Sequence, residues 1–311
     1  MSVRLTALAF LLAVCLCASS WVIVRKDGTR IECDSPFVIT GGTYTYLGQD
    51  GEPHGIPAED VDAGKTDAAN SGVTSASGLR SRDFVISFKE PFPALPGTTW
   101  SAYGLQPAEE RFSVHIPDNY TGREPFGLMV YIDPEDRNAG VPAGWGSVLE
   151  EKKLLFVAAQ GSGDSRKTAR RLGLAVLGAL EMKKNYYIDR NRIYAAGFSG
   201  GARVAAELAF YEAGLIEGAI LNSGAEFYEP VRGGQGMVRV PLKHLAAVRR
   251  TTRFALITGS GDPRSGDVLN IYHRGYRARG FHARLFDVEG MGHETCGAPT
   301  LAQAIDYLEE R

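Results

Sequence analysis

Gly197-Phe198-Ser199-Gly200-Gly201 sets one serine among three glycines, after the apolar run Arg192–Ala196 and before an alanine-rich stretch. Strand, serine, helix is the order of a nucleophile elbow. A serine on so sharp a turn takes a strained backbone conformation. Glycines beside it let the strand and the helix approach closely. In a chain with 37 glycines the five-residue pattern alone is weak, and its flanking strand and helix give it meaning.

A serine hydroxyl is a poor nucleophile until a base stands within hydrogen-bond reach and a carboxylate orients that base. On a doubly wound sheet these partners come from loops at the carboxyl ends of later strands, in the order serine, acid, histidine. Phe254–Thr258 is a predicted strand followed by Gly259-Ser260-Gly261-Asp262-Pro263. Arg284–Val288 lies in the next strand and is followed by Glu289-Gly290-Met291-Gly292-His293-Glu294. Asp262 and His293 are therefore the expected acid and base for Ser199. Asp267, five residues further along, and Asp287, inside the last strand, compete with Asp262. Asp262 is preferred because it stands first after its strand, where a rigid scaffold fixes it. His54, His115, His244, His273 and His282 lack that placement. Ser223, also at a strand end, has no preceding glycine or following helix and is expected to line the site.

The oxyanion of an acyl transfer needs donors already in place. The Gly200 N–H, just after the serine, is expected to be one. The other is expected from Asp133-Pro134-Glu135-Asp136, after the strand ending at Ile132. Pro134 has no N–H, so Glu135 is the candidate.

Around these residues, strands and helices alternate. Strands are predicted at Phe84–Phe88, Arg111–Ile116, Gly127–Ile132, Leu154–Ala159, Arg192–Ala196, Ala219–Asn222, Phe254–Thr258 and Ala283–Val288. Helices are predicted at Ala169–Tyr187, Ala202–Ala213 and Leu301–Leu308, the first with Leu172, Val176, Leu177 and Leu180 near a 3.6-residue period. Such alternation implies an α/β fold: a doubly wound, mainly parallel sheet covered on both faces. Residues 226–250 interrupt the rhythm, either as a cap whose Phe227, Tyr228 and Met237 face an apolar group or as an ordinary crossover with a helix.

The N-terminal part differs. Residues 1–20 read as a secretory leader: Arg4, the apolar run Ala7–Leu16, then Ala18-Ser19-Ser20. That run is too short for a stable membrane span. The expected location is secreted or periplasmic. Residues 21–70 read as a small, bent antiparallel β segment, with turns at Asp27-Gly28 and at Gln49-Asp50-Gly51. Residues 71–82 are a Ser/Gly-rich linker, and 83–311 the main domain. Only Cys33 and Cys296 remain after the leader, and export permits a disulfide between them.

Composition sets outer limits. The 311 residues carry a formal charge of -2, with 44% hydrophobic and 23% charged residues. That supports a sizeable core and gives no electrostatic reason to bind nucleic acid. Gly161-Ser162-Gly163-Asp164 lacks a P-loop lysine and the third glycine of a dinucleotide fingerprint, so it reads as another loop at the site's rim. There is no His-Glu-x-x-His motif or CxxC pair; neither a metal nor a cofactor is called for.

The stretch from about Phe112 to Leu308 resembles the α/β-hydrolase superfamily, most of all secreted bacterial esterases related to polyhydroxybutyrate depolymerases and to feruloyl and acetyl-xylan esterases. The likeness rests on Tyr187-Ile188-Asp189-Arg190-Asn191-Arg192-Ile193-Tyr194 leading into the Ser199 elbow, and on Gly290-Met291-Gly292-His293. It implies a Ser199, Asp262, His293 triad acting on small-molecule or polymer-linked esters. It also exposes a departure: those esterases carry His-Gly where this chain has Asp133-Pro134, at the expected second oxyanion donor. The competing expectations are a catalytically weak or inactive binding protein on the same scaffold, and a serine peptidase of the same fold.

Overall fold

Runs that are apolar at every position cannot present a polar face to water, so they form strands covered on both sides. Leu154–Ala159 is such a run, and so is Gly218–Leu221 up to the strand-end Asn222, with every residue of both strands buried. The computed structural model describes residues 21–33, 38–40, 43–47, 53–70, 99–136, 139–231 and 242–310. The leader, the Gln49-Asp50-Gly51 turn, the 71–82 linker, the Phe84–Phe88 strand and residues 232–241 with Met237 lie outside the described residues. Contacts divide the chain into two compact units, Met1–Gly78 and Leu79–Arg311.

In the first unit, β1 (Trp21–Val24) and β2 (Arg30–Cys33) pair antiparallel. Their turn is closed by Asp27 Oδ1, which accepts the Thr29 N–H at 2.9 Å, with Gly28 at φ +88°. β3 (Val38–Thr40), β4 (Thr43–Leu47) and β5 (Pro53–Pro57) form a separate three-stranded antiparallel sheet. Helix α1 (Ala63–Asn70) follows, and Thr66 Oγ1 accepts the Val24 N–H at 2.9 Å. The segment is thus two small sheets and a helix rather than one bent sheet. Ile23, Cys33, Tyr44, Ile56 and Val61 make its core.

The second unit runs β6 (Phe112–His115), β7 (Phe126–Ile132), α2 (Gly146–Glu151), β8 (Leu154–Ala159), α3 (Thr168–Asn185), β9 (Ile188–Phe198) and α4 (Gly200–Tyr211). It continues β10 (Gly218–Asn222), α5 (Leu242–Thr251), β11 (Arg253–Gly259), α6 (Ser265–Ile271), β12 (His282–Val288) and α7 (Ala298–Glu309). Seven strands form one sheet in the order β12-β11-β10-β9-β7-β8-β6. All neighbours are parallel except β6 with β8. The fold is α/β, a doubly wound mainly parallel sheet, with small antiparallel strands before it.

Alternate residues of β7 feed the two faces. Leu128, Val130 and Ile132 join a core with Leu174 and Leu177 of α3 and Leu208 of α4. Met129 and Tyr131 join one with Trp145, Leu149 of α2 and Leu301 and Ile305 of α7. Each such side chain contributes about 1.5–3 kcal/mol by leaving water. This rigidity matters for chemistry, because the loops after β7, β9, β10, β11 and β12 leave one edge of the same sheet. Among the described residues no helix is long and apolar enough to cross a membrane.

Candidate active site

Ser199 follows β9 and caps α4 at φ +53°, ψ -119°, a conformation that side-chain-bearing residues seldom adopt. Strand β10 stabilises it: the Ser199 N–H donates to the Asn222 carbonyl at 2.9 Å. Close packing requires the glycines. A Cβ on Gly201 would run into the Ile132 carbonyl oxygen, and one on Gly197 would lie 2.5 Å from Gly201. Only hydrogen side chains let β9, α4 and β7 meet there.

Three side chains predicted from widely separated segments come together. His293 Nε2 lies 2.9 Å from Ser199 Oγ, and His293 Nδ1 lies 3.0 Å from Asp262 Oδ2. Asp262 Oδ1 accepts the Arg264 N–H at 2.8 Å. Burial opposes ionisation of Asp262, but hydrogen bonds from His293, the Arg264 amide and Ser223 prevail and hold its carboxyl below the usual value. The Asp262 side chain is fully buried, while that of His293 is 27% exposed. The ring of His293 also packs against Phe198, with centroids 4.9 Å apart. Asp267 and Asp287 are exposed, and among the described residues the carboxylate bonded to His293 is that of Asp262.

The loop carrying His293 is anchored by a residue the sequence did not single out. Asn222, fully buried at the end of β10, accepts the Cys296 N–H through Oδ1 at 2.6 Å. Its Nδ2 donates to the Glu294 carbonyl at 3.0 Å. Ser223 braces the same carbonyl at 3.4 Å and is buried, so it supports the site instead of lining it. Cys296 in this loop is buried, and burial pushes its thiol up to about 12.

On the other flank the Gly200 N–H has no acceptor among the described residues. Glu135 behaves otherwise than expected. Its N–H donates to Asp133 Oδ1 at 2.8 Å, because an aspartate two residues ahead closes an Asx turn over Pro134. The expected second donor is therefore occupied locally. The Gly161–Asp164 loop does reach the rim, since a Cβ on Gly200 would overlap the Asp164 carboxyl. Asp164 pairs at 2.9 Å with the buried Arg171, whose guanidinium also donates to the Asp133 carbonyl at 3.2 Å.

One further residue was not anticipated, and one alternative left open is resolved. Arg264 places Nη1 3.3 Å from Ser199 Oγ. Phe227, expected to be able to face an apolar substrate, is instead core, packed on Phe210, Tyr276 and Phe281. Tyr228 leans on the same cluster. In the 226–250 interruption, the described part contains an ordinary crossover helix, α5.

No protein-family model matches the chain, and no curated protein matches it in sequence. Solved structures do match in three dimensions. The S-formylglutathione hydrolase FrmB of Staphylococcus aureus is 13% identical with a TM-score of 0.50, over 64% of this chain and 92% of its own. Est1E of Butyrivibrio proteoclasticus is 15% identical with a TM-score of 0.47, over 63% and 91%. The esterase Est2 of Thermogutta terrifontis, bound to butyrate, is 15% identical with a TM-score of 0.45, over 64% and 86%. With its sheet order, its elbow at Ser199 and its likeness to the S. aureus enzyme, the chain has the α/β-hydrolase fold.

Proposed function

We propose that this protein is a serine hydrolase that cleaves carboxylic esters through an acyl-enzyme, with Ser199, His293 and Asp262 as its triad. The observation that carries the reading is the continuous path Ser199 Oγ, His293 Nε2, His293 Nδ1, Asp262 Oδ2, with gaps of 2.9 and 3.0 Å. The S-formylglutathione hydrolase sharing its fold is itself a hydrolase, which agrees with this reading.

In the proposed reaction His293 Nε2 takes the Ser199 proton as Oγ bonds to the ester carbonyl carbon. The tetrahedral oxyanion accepts the Gly200 N–H. Collapse breaks the bond to the alcohol oxygen, which receives the proton from His293. Water then attacks the acyl-enzyme, giving its proton to His293, and the acid leaves as Ser199 regains its hydrogen. Asp262 fixes the imidazole orientation and stabilises its charged form. General-base catalysis contributes about 10²–10⁴-fold and an oxyanion donor about 10²–10³-fold. The Glu135 amide could join Gly200 only after the Asp133 turn opens.

The reading includes export through the leader at residues 1–20, a β segment over 21–70, a linker over 71–82 and a catalytic domain over 83–311. A second reading, a binding protein with little turnover, draws on one observation: the Glu135 N–H is engaged by Asp133. Hydrolysis of p-nitrophenyl acetate and butyrate separates the two. The esterase reading expects turnover that falls at least about 10³-fold in Ser199→Ala. Absence of turnover in the wild type favours the binding protein.

A further inference from the structure

A guanidinium beside a serine nucleophile is not required by the triad, and Arg264 has no carboxylate partner among the described residues. Its backbone N–H supports Asp262, which fixes where the side chain starts. Nη1 ends 3.3 Å from Ser199 Oγ, and Arg264 as a residue is exposed. Arginine presents five donors in a planar fork suited to two-point binding of a carboxylate. One of them rests on the serine oxygen, and among the described residues no other donates to a protein group. The surroundings are polarised: a cation touches Ser199, and the Asp164 carboxylate lies against Gly200.

On the basis of the esterase reading, we propose that Arg264 selects esters bearing a carboxylate close to the scissile carbonyl. A carboxylate paired with the outer edge of the fork at about 2.8 Å lies about 5–6 Å from Ser199 Oγ. At ordinary bond lengths that is about three or four bonds from the carbonyl carbon. Asp164 is already paired with Arg171 at 2.9 Å, so the open cation beside Ser199 is Arg264, and the substrate binds with its charge there. The anion also draws Nη1 away from Oγ and leaves the serine lone pair to the carbonyl carbon. Charge pairing at a partly exposed site gives an expected preference of about ten- to a hundredfold.

The test compares ethanol release from the ethyl half-ester of glutaric acid with that from its terminal carboxamide, which has the same shape without the charge. The wild type is expected to favour the carboxylate by about tenfold or more in kcat/KM. Arg264→Gln is expected to bring that ratio to near one, and Arg264→Glu to invert it. Arg277→Gln, an exposed arginine outside the site, should retain the wild-type ratio. Cleavage of both esters with a wild-type ratio near one, or a ratio that survives Arg264→Gln, overturns the role of Arg264 while leaving the esterase reading intact. Failure to cleave either ester, with Ser199 unreactive toward a fluorophosphonate, removes both.

Discussion

Asn222 Oδ1 accepts the backbone N–H of Cys296 at 2.6 Å, and this bond ties the histidine loop to the centre of the sheet. The same amide group donates to the Glu294 carbonyl at 3.0 Å. His293 is therefore held by a fully buried strand-end residue that touches none of the reacting atoms. Asn222→Ala is expected to lower kcat about 10–100-fold with little change in KM, since a small misplacement of the base is costly. Unpaired buried groups left behind should also cost about 1–3 kcal/mol in urea unfolding. Full activity in this variant would show that the loop holds itself.

Asp262→Asn is expected to reduce kcat about 10⁴-fold, because an amide favours the wrong tautomer of the imidazole. Asp267→Asn, exposed on α6, should stay within about twofold of wild type, as surface changes usually do. Steady-state kinetics on one short-chain ester reads both. The reverse pattern would move the acid to Asp267.

Stability should follow Asp262 at low pH. Its folded-state value lies below the ordinary 3.8, so its contribution is present above that value and is lost as pH falls through the lowered one. Asp262→Asn should flatten the dependence of urea midpoint on pH below about 4. An unchanged slope would deny that the native state favours the charged form.

Glu207 on α4 has the opposite sign. Burial, aided by the nearby Glu226 charge, raises its carboxyl from 4.5 to about 7. The folded state then holds the proton more tightly than the unfolded one. Stability is full below about pH 4.5 and is lost as pH rises through about 7. Glu207→Gln should therefore gain stability over wild type between pH 5 and pH 8, by as much as about 3 kcal/mol. Parallel pH–stability curves for the two proteins would contradict this.

Much of this site was legible because its logic is one of placement along the chain. Ser199, Asp262 and His293 each come after a strand, and parallel strands deliver their ends to one edge of a sheet. Glu135 could not be settled that way, since whether its N–H stays open depends on where the Asp133 side chain turns. Asn222 reads in sequence as the last residue of a buried strand, and only packing reveals that its amide spans the histidine loop. Arg264 follows Asp262 by two residues, yet no pattern tells which way an exposed arginine points. Phe227 stayed open between a substrate wall and an ordinary crossover because an aromatic residue in an interrupting segment looks the same whether it lines a pocket or fills a core. The two N-terminal sheets were read as one because turn signals locate hairpins without saying which strands pair beyond them.

The most direct test of the central claim is mass spectrometry of the intact protein after reaction with a fluorophosphonate, followed by peptide mapping. One covalent adduct on Ser199, absent from Ser199→Ala and strongly slowed in His293→Ala, is the predicted result. No adduct, or an adduct on Ser223 or any other serine with Ser199 unmodified, would contradict it.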